Sequence, residues 1–139
     1  MVNILRAANA LSRVGGRLAN GAGLSSVQQW LLLGAIASNP DAPLMSLRGN
    51  LSVTKQDITS MVARLKQRNL VDTYPDGEDR RITRIRLTDQ GEDVLRRLQV
   101  LADNSNDITF APFSGDEITH LSLLLTRLVS HLESLPENS

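Results

Sequence analysis

Residues 54–68 read TKQDITSMVARLKQR, and this stretch decides the fold. Thr54 fits the N-cap of a helix, with Asp57 at its N3 position. Apolar side chains then recur with the i, i+3, i+4, i+7 spacing of one helical face: Ile58, Met61, Val62 and Leu65. The sequence therefore predicts an amphipathic helix over 54–68, with a buried apolar face and a free polar face.

The polar face of this helix carries side chains that suit a DNA major groove. Amide and guanidinium groups can pair with base edges, while lysine and hydroxyl groups meet phosphates. The first turn also offers free N–H groups and the positive end of the helix dipole, which favour a phosphate. We therefore expect DNA contacts from Thr54, Lys55, Gln56, Thr59, Ser60 and Arg64.

Downstream of this helix the apolar pattern changes to period two. Val71 and Thr73 share one face of a first strand, a Pro-Asp-Gly turn follows at 75–77, and residues 82–87 alternate as a second strand. The outer side of this hairpin is cationic and can reach an adjacent minor groove or its phosphates. We expect wing contacts with DNA from Arg80, Arg81, Arg84 and Arg86. Asp79 is expected to be an internal ion-pair partner, of Arg64 or Arg81, that orients the hairpin.

Upstream of residue 54 the sequence predicts two buried helices. Residues 25–29 hold two overlapping capping boxes for the first, which ends at the Asn-Pro pair 39–40. Pro43 can open a short helix that runs to Leu51 and turns its leucines toward the core. Two short helices with a tight turn, followed at once by a hairpin, are typical of a winged helix-turn-helix.

Apolar seams predict packing helices at both ends of the chain. Near the N-terminus the seam steps by four and three and includes Ile4, Leu11 and Leu18. A capping box of Ser114 with Glu117 opens the last helix. Its seam steps by three and four: Ile118, Leu121, Leu125, Leu128 and Leu132. Because so small a chain cannot cover both seams by itself, we expect a homodimer, whose two recognition helices would match a symmetric operator.

Three stretches carry a resemblance to a known family: LSVTKQDITSMVARLKQRNLV at 51–71, DRR at 79–81 and LTDQG at 87–91. With them the chain closely resembles the MarR family of bacterial winged helix-turn-helix transcription regulators. The resemblance implies a triangular homodimer with intertwined terminal helices. It also implies repression or activation of nearby genes, often relieved by a small, commonly phenolic, ligand. In family terms residues 55–64 lie in the recognition helix, and Asp79 with Arg81 is the wing signature.

The expected fold class is therefore mainly α with a small β-hairpin. We expect a winged helix-turn-helix with six helices, because a helix capped by Thr88 precedes the last one. The whole chain, 1–139, is expected to be a single domain. Its dimerisation helices would lie at 1–20 and 90–139, and its winged lobe at 25–89.

Composition excludes several kinds of function. The 139 residues include no cysteine, which excludes disulfides, thiolate zinc sites and sensing by thiol oxidation within this chain. The formal net charge is zero, so DNA binding must depend on where the charges lie. Cations concentrate between residues 53 and 86, whereas Arg127 is the only one from residue 98 onward. No apolar stretch approaches the ~20 residues that span a bilayer, so we expect a cytoplasmic location and no membrane partner.

Other functions remain to be compared with DNA binding. No catalytic constellation is visible, because adjacent carboxylates do not converge and His120 and His131 are separated by ~16 Å along one helix. We expect no enzyme, no metal site and no cofactor. The zero net charge leaves open a winged-helix protein-interaction module without a DNA target. Trp30, on an otherwise aliphatic helix, is either a core residue or part of a pocket for a small-molecule effector.

Overall fold

The computed structural model describes residues 1–51 and 53–136, with only the backbone at Asn50. The elements are, in chain order, α1 (Val2–Gly21), α2 (Val27–Ser38), β1 (Ala42–Pro43), two 3₁₀ turns (Leu44–Leu47 and Gly49–Leu51), α3 (Lys55–Gln67), β2 (Val71–Pro75), β3 (Thr83–Leu87), α4 (Asp89–Thr109) and α5 (Gly115–Ser134). The chain divides into two compact units, of which the first is Met1–Ala102 and the second begins at Asp103. None of the helices in the described ranges is long and apolar enough to cross a membrane.

The prediction of six helices is wrong by one, because the described residues form five. The segment from Pro43 to Leu51 is not an α-helix but two 3₁₀ turns, and Pro43 itself belongs to β1. A segment this short forms few helical hydrogen bonds relative to the number of residues that it must order. Its first residue is also unavailable to a helix, because it pairs with β3 as part of β1. Its three leucines are buried as predicted: Leu44, Leu47 and Leu51.

The predicted hairpin is part of a three-stranded antiparallel sheet with the order β1-β3-β2. β2 and β3 pair over five residues, with Tyr74 opposite Arg84. β1 adds two residues on the other side of β3, where Pro43 also lies opposite Arg84. A strand of two residues cannot show a period, and the sequence therefore gave no sign of it.

One hydrophobic core joins α2, α3, the sheet and the first half of α4. Its most deeply buried large side chains are Leu32, Leu33, Ile36, Ile58, Leu65, Leu70, Ile85 and Leu98. Ile58, Val62 and Leu65 of α3 are buried, and Met61 packs partly buried against them. The apolar face predicted within 54–68 is therefore anchored in the core.

The junction between β3 and α4 is packed tightly against Leu70. The Thr88 hydroxyl accepts from the Gly91 amide at 3.0 Å and donates to the Asn69 carbonyl at 2.6 Å. Asn69 has φ 57°, the left-handed conformation predicted for the residue just past the helix. A Cβ atom on Gly91 would lie 2.0 Å from the Leu70 carbonyl oxygen, so only glycine fits at this position.

The last helix, α5, has no buried residue within the chain. Its start is fixed by the predicted capping box, in which the Glu117 amide donates to Ser114 Oγ at 3.2 Å and the Ser114 amide to Glu117 Oε2 at 2.8 Å. Four leucines of its predicted seam are exposed: Leu121, Leu125, Leu128 and Leu132. Ile118 is half-buried. In α1, considered separately, Ile4 and Leu11 are exposed and Leu18 is half-buried.

Candidate nucleic-acid interface

Thr54 and Asp57 fix the start of α3 by a reciprocal capping box. The Asp57 amide donates to Thr54 Oγ1 at 3.1 Å, and the Thr54 amide donates to Asp57 Oδ2 at 3.2 Å. The Thr54 hydroxyl also donates to Asp57 Oδ2 at 2.6 Å. Both bonds to the carboxylate lower the pKa of Asp57 from its ordinary value, and the bond from the hydroxyl has the larger effect. The helix thus begins at a defined residue, which sets the direction of the side chains that follow.

The polar face of α3 is open to solvent. Five side chains predicted to contact DNA are exposed on this helix: Lys55, Gln56, Thr59, Ser60 and Arg64. The Thr59 hydroxyl donates to the Lys55 carbonyl at 2.8 Å. Within the described ranges, no hydrogen bond or ion pair engages the side chains of Gln56, Ser60 or Arg64. Their donors and acceptors are therefore available to base edges or phosphates.

At the tip of the wing, Asp79 pairs with Arg81 rather than with Arg64. Arg81 Nε lies 3.1 Å from Asp79 Oδ1, and Arg81 Nη2 lies 3.2 Å from Asp79 Oδ2. The Arg81 amide also donates to Asp79 Oδ1 at 3.0 Å. The guanidinium, and after it the amide, lowers the pKa of Asp79 from its ordinary value. The Arg81 side chain nevertheless stays 91% exposed, so its remaining donors face solvent.

The other three wing arginines have different surroundings. Arg80 is exposed, and none of the described residues holds its side chain. Arg86 is exposed, with Nε 3.9 Å from Asp72 Oδ2 and its guanidinium 5.3 Å from the centre of the Tyr74 ring. Arg84 is only partly exposed and bonds to the Asp76 carboxylate. The structure thus leaves Arg80 free and engages Arg84 within the chain.

Two contacts that the sequence did not predict hold the C-terminal end of α3. Lys66 Nζ donates to Thr73 Oγ1 of β2 at 2.7 Å. Arg68 Nη1 donates to the carbonyl of Gly23, in the turn between α1 and α2. Arg68 and Gly23 are 45 positions apart in sequence, so no local sequence pattern could have predicted this contact. The helix with the free polar face is therefore fixed both to the wing and to the α1–α2 turn.

A groove of about 580 Å³ opens between the end of α2, β3 and the first half of α4. Its lining includes two arginines, Arg86 and Arg96, two carboxylates, Asp41 and Glu92, and apolar side chains such as Leu87. Trp30 is half-buried and packs against the hydrophobic core. The role of Trp30 in an effector pocket therefore stays a prediction.

An anchored helix with a free polar face, preceded by a tight turn and followed by a two-stranded wing, defines a winged helix-turn-helix protein. Residues 22–82 match the sequence profile of the MarR family. Named regulators and solved structures that resemble the chain agree with this match. Over residues 22–82, and in its likeness to these regulators, the chain is similar to the MarR family of transcription regulators.

Two regulators of known name and one solved structure illustrate the relationship. The transcriptional repressor IacR of Pseudomonas putida is 27% identical over 78% of this chain, which spans 65% of that protein. The transcriptional activatory protein BadR of Rhodopseudomonas palustris is 28% identical over 98% of this chain and 79% of its own length. The PcaV regulator of Streptomyces coelicolor, solved in complex with its natural ligand, is 28% identical. Its TM-score is 0.75, with 88% of this chain and 89% of PcaV covered.

Proposed function

We propose that this protein is a sequence-specific DNA-binding transcription regulator that acts as a homodimer on a pseudo-palindromic operator. The recognition helix α3 enters the major groove, and the wing formed by β2 and β3 meets the adjacent minor groove. The observation that carries the proposal is the exposed face of α3, where Gln56, Ser60 and Arg64 have no partner among the described residues. Exposed cations at the wing, above all Arg80, add charge for phosphates.

The homodimer is proposed from the exposed seam of α5. Large apolar side chains rarely form a continuous exposed stripe on a soluble monomer, and such a stripe marks an interface. The steps of three and four along the seam are those of helices that pack side by side. A second copy of the chain is the occupant that also supplies a second recognition helix for the operator.

Repression is the proposed mode of action, as in the relative named as a repressor, IacR. BadR is named as an activatory protein, so the sign of regulation differs among relatives. A reporter gene behind the operator separates the two modes, since deletion of this protein raises expression under repression and lowers it under activation.

Replacement of Arg64 by alanine is expected to weaken operator binding by about 1–3 kcal/mol, which is roughly fivefold to 150-fold in Kd. The reason is that the variant lacks the guanidinium that would bond base edges or phosphates, while the core behind α3 is unchanged. The measurement is the affinity for a duplex that the wild-type protein selects from a random-sequence pool, at fixed salt.

The matched control for Arg64→Ala is Arg127→Ala, which removes the same charge from an exposed position on α5. Equal affinities of the two variants would contradict the assignment of α3 as the recognition helix. The same assay tests the alternative of a protein-interaction module. If the protein is such a module, the wild type is expected to show no salt-dependent binding to any duplex.

We also propose that a small-molecule effector binds in the groove between α2, β3 and α4. Its support is the lining, which combines an apolar surface with Arg86 and Arg96, and the likeness to PcaV, which was solved with a ligand. Because Asp41 and Glu92 also line the groove and Arg96 is paired with Asp93, this chemistry suits a small apolar molecule with a polar group.

The effector proposal predicts that small phenolic compounds raise the Tm of the wild-type protein. Ala37 lines the groove and is exposed, so Ala37→Trp fills the space without entering the core. This variant is expected to keep its fold and lose the shift in Tm. A ligand that stabilises Ala37→Trp as much as the wild type would show that it binds elsewhere.

A further inference from the structure

The turn between α2 and β1 receives hydrogen bonds from both strands of the wing. Asp41 in this turn has φ 61°, a left-handed conformation that aspartate tolerates better than most residues. Its carboxylate accepts from the Tyr74 hydroxyl at 2.5 Å, and its carbonyl accepts from Arg84 Nη1 at 2.7 Å. Tyr74 and Arg84 are direct neighbours across β2 and β3. The end of α2 is therefore bonded to the middle of the wing.

The same arginine also reaches the loop at the tip of the wing. Arg84 Nε donates to Asp76 Oδ1, while Asp76 Oδ2 accepts from the amides of Glu78 and Asp79, each at 3.0 Å. Only 13% of the Asp76 side chain and 33% of the Arg84 side chain remain exposed. The guanidinium of Arg84 and these amides lower the pKa of Asp76 to about 2, so the carboxylate is ionised near neutral pH. One guanidinium thus joins the α2–β1 turn to the wing tip.

This placement differs from what a phosphate contact requires. The charge of Arg84 is balanced by Asp76, and two of its nitrogen atoms already have acceptors. Arg80, by contrast, is exposed and has no partner among the described residues. A direct contact by Arg84 would break internal charge-assisted bonds, whereas a contact by Arg80 breaks none.

We propose that four residues act together as a wing bracket, which fixes the angle of the wing relative to α2: Asp41, Tyr74, Asp76 and Arg84. Arg84 is then a positioning residue, and contacts with the phosphates fall to the exposed arginines of the wing, of which Arg80 has no partner among the described residues. The bracket needs a planar guanidinium, because Nε and Nη1 must reach acceptors on two separate segments. Its effect on affinity rests on the proposed DNA-binding function, but its effect on the wing does not.

The first test uses the free protein and follows amide hydrogen exchange at residues 76–82. Arg84→Lys keeps the charge but cannot bridge both acceptors, and Tyr74→Phe removes only the hydroxyl that bonds Asp41. Exchange in this segment is expected to accelerate roughly tenfold in both variants, because wing opening becomes easier. Unchanged exchange in α2 shows that the fold is intact, and Arg97→Lys, an exposed arginine on α4, is the matched control. Wild-type exchange rates at 76–82 in both variants would overturn the bracket.

The second test measures binding to a random-sequence duplex as a function of salt. The bracket predicts that Arg84→Lys loses as much affinity as Arg84→Gln, roughly tenfold, because neither residue can hold the wing in place. A direct phosphate contact predicts that lysine retains the affinity and glutamine loses it, and this result would overturn the bracket. Wild-type affinity in both variants would overturn it as well. If the wild-type protein binds no duplex, the proposed function fails, and the exchange measurement still decides the bracket.

Discussion

Replacement of Gly91 by alanine is expected to destabilise the protein by about 3 kcal/mol or more, at the upper end of what overpacking costs. The added Cβ would lie 2.0 Å from the Leu70 carbonyl oxygen and 3.0 Å from the carbon of the same carbonyl. Leu70 cannot move away easily, because it is buried and its carbonyl accepts the Thr88 amide at 3.1 Å. The clash must therefore displace α4 from the core.

The measurement for Gly91→Ala is thermal or denaturant unfolding at one fixed protein concentration, where we expect Tm to fall by roughly 10 °C. Gly34→Ala in α2 is the matched control, because no atom lies within 4 Å of its added Cβ. That substitution is expected to be neutral or to stabilise the helix by about 0.5–1 kcal/mol. Equal stability of the two variants would show that α4 does not begin against Leu70.

Replacement of Leu125 by glutamate is expected to weaken dimerisation on the order of a thousandfold, or about 4 kcal/mol. Leu125 is in the middle of the exposed seam of α5, where a symmetric interface would bury two new carboxylates close together. Operator binding should fall with it, because a monomer presents one recognition helix instead of two.

The test for Leu125→Glu is sedimentation or light scattering at micromolar concentration, followed by operator binding. Leu123→Glu is the control, since two positions along an α-helix correspond to nearly opposite sides. Leu123 is itself 63% exposed, so the control makes the same change on the same helix. If Leu125→Glu remains as dimeric as Leu123→Glu, the seam is not the interface.

Helix α3 could be predicted from sequence almost to the residue. Thr54 and Asp57 gave its start, and the period of its apolar side chains gave its buried face, because both signals lie within one short stretch. The observed helix, Lys55–Gln67, lies within the predicted range of 54–68. Local patterns of this kind predict an element correctly when the element is long enough to repeat them.

The features that the sequence could not predict involve short elements and distant partners. The segment 43–51 has the leucine spacing of a helix, but it is too short for that spacing to distinguish an α-helix from 3₁₀ turns. The surroundings of Arg84 were out of reach for another reason. Its partners Asp76 and Asp41 are 8 and 43 positions away, and only the paired strands bring them together. A cluster of arginines in the sequence therefore does not show which of them are free and which are hydrogen-bonded within the chain.

The two faces of α3 depend on different residues. Core packing depends on Ile58, Val62 and Leu65, whereas Gln56 and Ser60 have no partner in the described ranges. Exchange of such outward residues sacrifices no internal bond, and surface changes of this kind usually alter stability by less than about 0.5 kcal/mol. Under the proposed function, substitutions on this face can therefore change the DNA sequence that is bound while leaving the stability of the fold nearly unchanged.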